Sequence, residues 1–396
     1  MMLRRLPRLG PTLVLLMIVV AACSDVRDDV GAGLTLGGTL GGVDTAGYAR
    51  ATAPVPMTFP VDHGPHEDFR TEWWYVTGHL RADDGRRFGY QFTLFRSALS
   101  PEPVVMESAW GTRQAYMGHF GLSDIAGDRF FARERFSRGS TGLAGAETDP
   151  LRIWLETWHF TGAEPGEPFP IRLGVQDRGV GMQVELESGK GIFLNGEQGW
   201  SPKGQGEGNA SYYYSMPRMP TSGFVVLEGD TVSVRGTSWL DREWSTSVLS
   251  EGQVGWDWFA LQLSDGRELM VYRIRRADGS ADPASEGILY ETEGRSRRLA
   301  WGSDILVEET ATWTSSSGGV EYPSRWRVRV PSEELDLEVS PLIADQELRL
   351  TFRYWEGAVA VTGTGPAGGL TGEGYVELTG YDGGDAGTNG FGRTGG

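Results

Sequence analysis

Three carboxylates in this chain stand among tryptophans: Glu72 in "RTEWWYVTGHL" (70–80), Asp241 in "TSWLDREWS" (237–245) and Asp257 in "VGWDWFALQL" (254–263). An ionised carboxylate resists a water-poor aromatic setting, so each acid admits one of two explanations. Either it pairs with arginine and indole N–H groups as a structural pin, with Arg70, Arg242 and Arg273 at hand in the same segments, or burial keeps it neutral and able to give up a proton. A single such acid suits the first explanation. Three of them point to a cavity with chemical work to do.

The segments that must carry these acids read as strands, in which alternate side chains face opposite ways. Glu72 then shares a face with Trp74 and Val76; Trp239, Asp241 and Glu243 share another; Asp257 goes with Phe259 and Leu261. Strand patterns recur along the chain, as in "RRFGYQFTLFR", "GMQVELES", "ELMVYRIRR" and "GEGYVELTGY", and Asp84-Gly85 and Asp265-Gly266 are hairpin turn dipeptides. The 58 glycines, 14 tryptophans and 13 tyrosines suit turns, bulges and wide inter-sheet fillers. Long amphipathic helical patterns are absent. The expectation is an all-β chain. A faint echo between "WWYVTGHLRADDGRRFGYQFTLFR" and "WDWFALQLSDGRELMVYRIRR" suggests duplication, with a boundary at the turn in "LEGDT" and two domains, 57–229 and 230–382.

The first 23 residues form a separate unit. Arg4, Arg5 and Arg8 precede a short apolar run, Leu13 to Val20, and small residues lead into Cys23, the single cysteine. The run is too short for a membrane span and reads as an export signal of bacterial lipoprotein type, with Cys23 as the lipidated residue and a membrane anchor as its consequence. Residues 24–56, rich in Gly, Ala, Thr and Asp, read as a flexible tether, and 383–396 as a disordered Gly-rich tail. A net charge of −17 without a basic stripe argues against nucleic acid as a partner. "GTGPAG" (363–368) matches Gly-x-Gly-x-x-Gly but lacks the helix of a dinucleotide site, and neither a Gly-x-Ser-x-Gly elbow nor a His-Glu-x-x-His motif occurs. His63 and His66 have a ligand-like spacing, yet they read as a solvated loop pair, so no metal site is expected.

Taken together, "RTEWWYVTGHL", "FGYQFTLFR", "MGHFGLSD", "SYYYSMPR", "WLDREW" and "GWDWFALQL" resemble the lipocalin-like family that contains carotenoid 1,2-hydratases (hydroxyneurosporene synthases) and AttH-like proteins of the secreted-hydrolase branch, over residues 57–381. The resemblance implies two consecutive lipocalin- or calycin-like antiparallel β-barrels and an aromatic-lined pocket. It also implies water addition to an isoprenoid double bond without a cofactor. Carried over by position, Asp241 is the acid. Trp239 stands where the hydratases carry tyrosine, Tyr212 to Tyr214 where they carry His-x-Trp, and Arg242 where histidine follows the aspartate. These departures put the chain on the AttH-like, exported branch.

Two functions follow as expectations. One is proton donation to a lipophilic substrate by Asp241 and Glu72, with Trp74, His119, Tyr212, Tyr214, Trp239, Asp257 and Trp258 shaping the substrate site. The other is a membrane-tethered carrier of a hydrophobic ligand, in which the same pocket binds and catalyses nothing.

Overall fold

The computed structural model describes residues 45–382, apart from 103–107, 109 and 293. The signal segment, Cys23, most of the tether and the tail lie outside the described residues.

Alternation and turn chemistry produce two antiparallel sheets, each curled into a near-barrel. The first runs in the order Arg129–Arg138, Gln114–Asp124, Arg87–Ala98, Thr71–Ala82, Asp230–Ser245, Ala210–Leu227, Val180–Leu186, Ile171–Asp177, Trp158–Thr161, Arg152–Leu155 and Ala144–Glu147. The second runs Ser296–Ala300, Glu286–Tyr290, Glu268–Arg276, Gln253–Leu263, Gly368–Thr379, Arg353–Gly365, Leu335–Pro341, Glu321–Val330 and Leu306–Thr314. The expectation of an all-β chain with two lipocalin-like barrels holds. The sequence echo has a structural counterpart too. In each sheet the echoed hairpin sits beside that sheet's last strand, Asp230–Ser245 in the first and Gly368–Thr379 in the second.

Two expected boundaries are corrected. "LEGDT" is a turn, but Leu227 pairs with Asp230 across Glu228 and Gly229, both at positive φ, so it closes a hairpin inside the first sheet. The strand Asp230–Ser245 also pairs with Thr71–Ala82, and the chain passes to the second sheet only at 246–252. The tether, for its part, ends earlier than residue 56. Ala51 is fully buried, its carbonyl accepts from Trp200 Nε1 at 2.9 Å, and the carbonyl of Ala53 accepts from the Tyr212 hydroxyl at 2.9 Å. Small residues here permit close seating against the first barrel rather than freedom.

Each barrel has its own apolar filling, with Trp74, Val76, Phe92, Leu94, Tyr214 and Leu240 in the first and Phe259, Leu261, Trp326, Val339 and Trp355 in the second. A third cluster, with Tyr75, Tyr213, Trp239, Trp258, Tyr272, Tyr290 and Tyr375, lies in the seam between the sheets. Gly89 permits that closeness: a Cβ there would stand 2.5 Å from Ala358 Cβ of the other sheet. Hydrogen bonds stitch the same seam, among them His79 Nε2 with the Gly374 carbonyl at 2.7 Å and Ser123 Oγ to Gln346 Oε1 at 2.6 Å.

Candidate active site

Register decides what meets in the seam. Tyr75 lies opposite Asp241, and Asp241 opposite Ser215; one step along, Trp73, Glu243 and Tyr213 form the next row. With a side-chain period of two, the odd-numbered residues of these rows leave the first barrel and the even-numbered ones fill it, until a bulge between Met216 and Met219 reverses the parity of Ala210–Leu227. In the second sheet Trp256 and Trp258 face the seam while Asp257, Phe259 and Leu261 turn inward; Trp258 stands opposite Glu377, and Glu377 opposite Glu356.

The result is a cavity of about 90 Å³ between the barrels, partly open to the surface. Trp73, Tyr75, Phe95, Trp256, Trp258 and Tyr272 give it aromatic walls, Asp241, Glu243, Glu377 and Lys203 line it as well, and Ser247, Val248 and Leu249 close it with the segment that joins the sheets. The expected aromatic-lined pocket therefore lies between the two barrels. Both interiors are already filled by side chains.

Asp241 is buried at 3% exposure. Its Oδ1 accepts from Ser215 Oγ at 2.6 Å and from Trp239 Nε1 at 2.7 Å, and its Oδ2 accepts from the Tyr213 hydroxyl at 2.5 Å. Burial pushes its pKa up to about 7 against these three donors, which favour the ionised form. Trp258 Nε1 donates in turn to the Tyr213 hydroxyl at 3.3 Å, fixing that ring. Burial likewise pushes Glu377 up to about 7, opposed by a hydrogen bond from Trp256 Nε1 and reinforced by the charges of Asp241 and Glu243. Burial raises Glu356 well above the usual carboxylate range, helped by Glu377 across the strand pair. Its Oε1 accepts from the Tyr75 hydroxyl at 2.6 Å. The seam thus holds several carboxyl groups that resist ionisation beside aromatic faces. That combination can deliver a proton to a substrate that offers no strong base.

Of the residues singled out from sequence, Asp241, Trp239 and Trp258 come together here. Glu72 does not. It lies inside the first barrel, fully buried and ion-paired with both Arg96 and Arg242, while the His66 backbone N–H donates to it at 3.0 Å. Burial alone would raise its pKa, but the two guanidinium groups outweigh burial and hold the carboxyl well below the usual range, so Glu72 is a structural anion rather than an acid catalyst. Trp74 belongs to the same interior, stacked under Arg242 at 3.9 Å and donating to the His63 carbonyl at 2.8 Å. Tyr212 and Tyr214 point inward as well, and Tyr213 between them takes the seam position. Asp257 faces the second barrel and pairs with Arg275 and Arg273. His119 sits off the cavity, between the Tyr354 hydroxyl at 2.8 Å and Glu134 at 3.1 Å. His63 is buried rather than solvated, with Nδ1 2.6 Å from the Tyr214 hydroxyl, and His66 stacks on Trp244 at 3.8 Å.

Sequence reading set Glu243 on the face of Asp241 but did not place Trp73, Tyr75, Tyr213, Ser215, Glu377 and Lys203 at the site. For Glu377 a signal existed: "GYVELTGY" alternates Val376 and Leu378 with Tyr375 and Glu377, which marks one apolar and one mixed face. For the others the missing datum was which face turns to the seam. Among the described residues no group of three His, Cys, Asp or Glu side chains is placed to hold a metal ion.

Comparison with known proteins follows the same outline. No protein of curated function matches the chain. An AttH protein from Nitrosomonas europaea is 35% identical over 84% of this chain and 99% of its own, with a TM-score of 0.74. Kievitone hydratase from Nectria haematococca shares the fold at 15% identity, covering 84% of this chain and 95% of its own, with a TM-score of 0.64. CghA shares it more distantly, at 12% identity and a TM-score of 0.53, over 87% of this chain and 98% of its own. The family model described as AttH-like matches residues 50–381, nearly all of the described fold, and the chain belongs to the AttH-like family.

Proposed function

We propose that the protein is an enzyme that protonates a carbon–carbon double bond of a lipophilic, isoprenoid-type substrate, with Asp241 as the acid and a hydrated or cyclised compound as the product. One observation carries the reading: a buried carboxyl with a pKa near 7, oriented by three donors, on the wall of an aromatic cavity. The carboxyl O–H bond breaks as a C–H bond forms, leaving a carbocation against Trp73, Trp256, Trp258 and Tyr75. An aromatic face stabilises such a cation by ~2 kcal/mol when water is excluded. Water then forms the C–O bond and returns its proton to the Asp241 carboxylate; in a cyclisation a second double bond forms the new C–C bond and the adjacent carbon loses the proton. Either way the acid is regenerated. The name of one fold neighbour, a hydratase, accords with this chemistry.

The test is conversion of an acyclic polyene by the purified protein and by Asp241→Asn. Loss of the general acid is expected to lower turnover by ~10²–10⁴-fold, and undiminished turnover in the variant would remove Asp241 from the mechanism. A second reading is a ligand carrier. Its support is that all three partners of Asp241 are donors, which suits a carboxylate serving as an anchor. On that reading the polyene binds and leaves unchanged. We further propose export and membrane tethering through Cys23, which mass spectrometry of the mature chain from its host would reveal as an acylated N-terminus.

A further inference from the structure

The cavity beside Asp241 is polar at one end. Lys203, just past the short strand Trp200–Pro202, brings its ammonium group to 4.3 Å from the Tyr272 ring centre, 4.8 Å from that of Tyr213 and 3.2 Å from Glu243 Oε1. Ser211 Oγ donates to the same Oε1. Both side chains are nearly buried, at 14% and 10% exposure. Along the paired strands the lining then runs from Tyr213 and Glu243 through Trp73 to Phe95, and Phe95 packs with Trp73 and Val248 in an apolar cluster.

A plain hydrocarbon filling this space would strip the remaining water from an ammonium and a carboxylate and offer them nothing in exchange. A hydroxyl or carbonyl oxygen would accept from Lys203, and a hydroxyl could also donate to Glu243 Oε2. An anionic head is disfavoured, because the Glu243 carboxylate already pairs with Lys203 and would stand beside a second negative charge. Resting on the lipophilic-pocket reading above, we propose that the ligand is an alkene carrying a neutral oxygen function, seated with that oxygen on Lys203 and Glu243 and its hydrocarbon portion towards Phe95 and Val248. Lys203 and Glu243 are then the residues that set ligand class.

The experiment follows tryptophan fluorescence of the full chain during titration with three probes of matched chain length: farnesol, farnesene and farnesoate. Farnesol is expected to bind about tenfold more tightly than farnesene, the worth of roughly one hydrogen bond to a charged group, with farnesoate weaker than farnesol. Lys203→Met should bring farnesol close to farnesene. Because that variant strands Glu243, the double variant Lys203→Met with Glu243→Gln repeats the test without an unpaired buried charge. Equal binding of farnesol and farnesene by the unmodified protein would overturn the assignment while leaving proton donation by Asp241 untouched. So would an undiminished preference for farnesol in both variants. Quenching by none of the probes would overturn it together with the lipophilic pocket itself.

Discussion

Asp241 makes a prediction that needs no substrate. Its carboxyl has an ordinary pKa of 3.8 and a folded value of about 7, so the folded chain keeps a proton that the unfolded chain has released between those limits. Stability from this group is therefore fully present below pH ~4, declines as pH rises towards 7 and is lost above it. The rise of roughly three pH units corresponds to roughly 4 kcal/mol. Asp241→Asn removes that dependence, because an amide does not titrate. The amide also sets an N–H₂ group against Tyr213 or Ser215, a mismatch of ~1–3 kcal/mol, but this penalty is the same at every pH. The informative quantity is thus the change in the variant-minus-wild-type difference, not the difference itself. Glu377 titrates in the same range and is coupled to Asp241, which is a second reason to compare two proteins rather than to read one curve. Urea unfolding of both at pH 4 and pH 8 measures it. The variant should gain several kcal/mol relative to wild type between the two; a gap that stays constant would refute the raised folded pKa and, with it, the case for Asp241 as an acid at neutral pH.

Other consequences are checked as directly. Glu72→Gln leaves Arg96 and Arg242 facing each other without their shared anion, and an unfolding free energy lower by ~3–5 kcal/mol is expected in denaturant titration. Because the Glu72 pKa is depressed in the fold, its contribution in wild type is present above the ordinary glutamate range and disappears as pH falls, so the effect of the substitution should shrink in acid. Tyr213→Phe deletes the donor to Asp241 Oδ2, which favours the protonated acid; the loss of turnover at high pH should move up by ~1–2 pH units, and an unmoved limb would separate the Tyr213 hydroxyl from the acid's titration. Gly89→Ala puts a methyl against Ala358 at the seam, and thermal denaturation should report a destabilisation of ~1–3 kcal/mol from overpacking.

Strand alternation, Asp-Gly turns and aromatic richness were enough to indicate an antiparallel all-β chain, because those signals are local, and the family resemblance supplied the two barrels. The site depended on something that is not local. In "EWWYV" either Glu72 and Trp74 or Trp73 and Tyr75 could line a cavity, and only pairing with Asp230–Ser245 and the docking of a second sheet show that the odd set does. The same parity moved the tyrosine from Tyr212 and Tyr214 to Tyr213. For Asp241 the face itself was legible, since Trp239 and Glu243 lie two positions to either side. Glu72 misled for a physical reason: a buried acid looks alike in sequence whether it is neutral or neutralised, and Arg96, its partner, stands 24 positions away in the next strand. Lys203 was invisible because a lone lysine in "SPKGQGEG" carries no sign that it enters a cavity.

The stretch 246–252 carries the chain from one sheet to the other, and Ser247, Val248 and Leu249 within it form a wall of the cavity. A guest in that space leans on the strap that holds the two halves in line, so filling the hollow and setting the spacing of the barrels are mechanically one event. Added farnesol should then shield this strap from limited proteolysis, and a cleavage rate indifferent to the guest would uncouple the two.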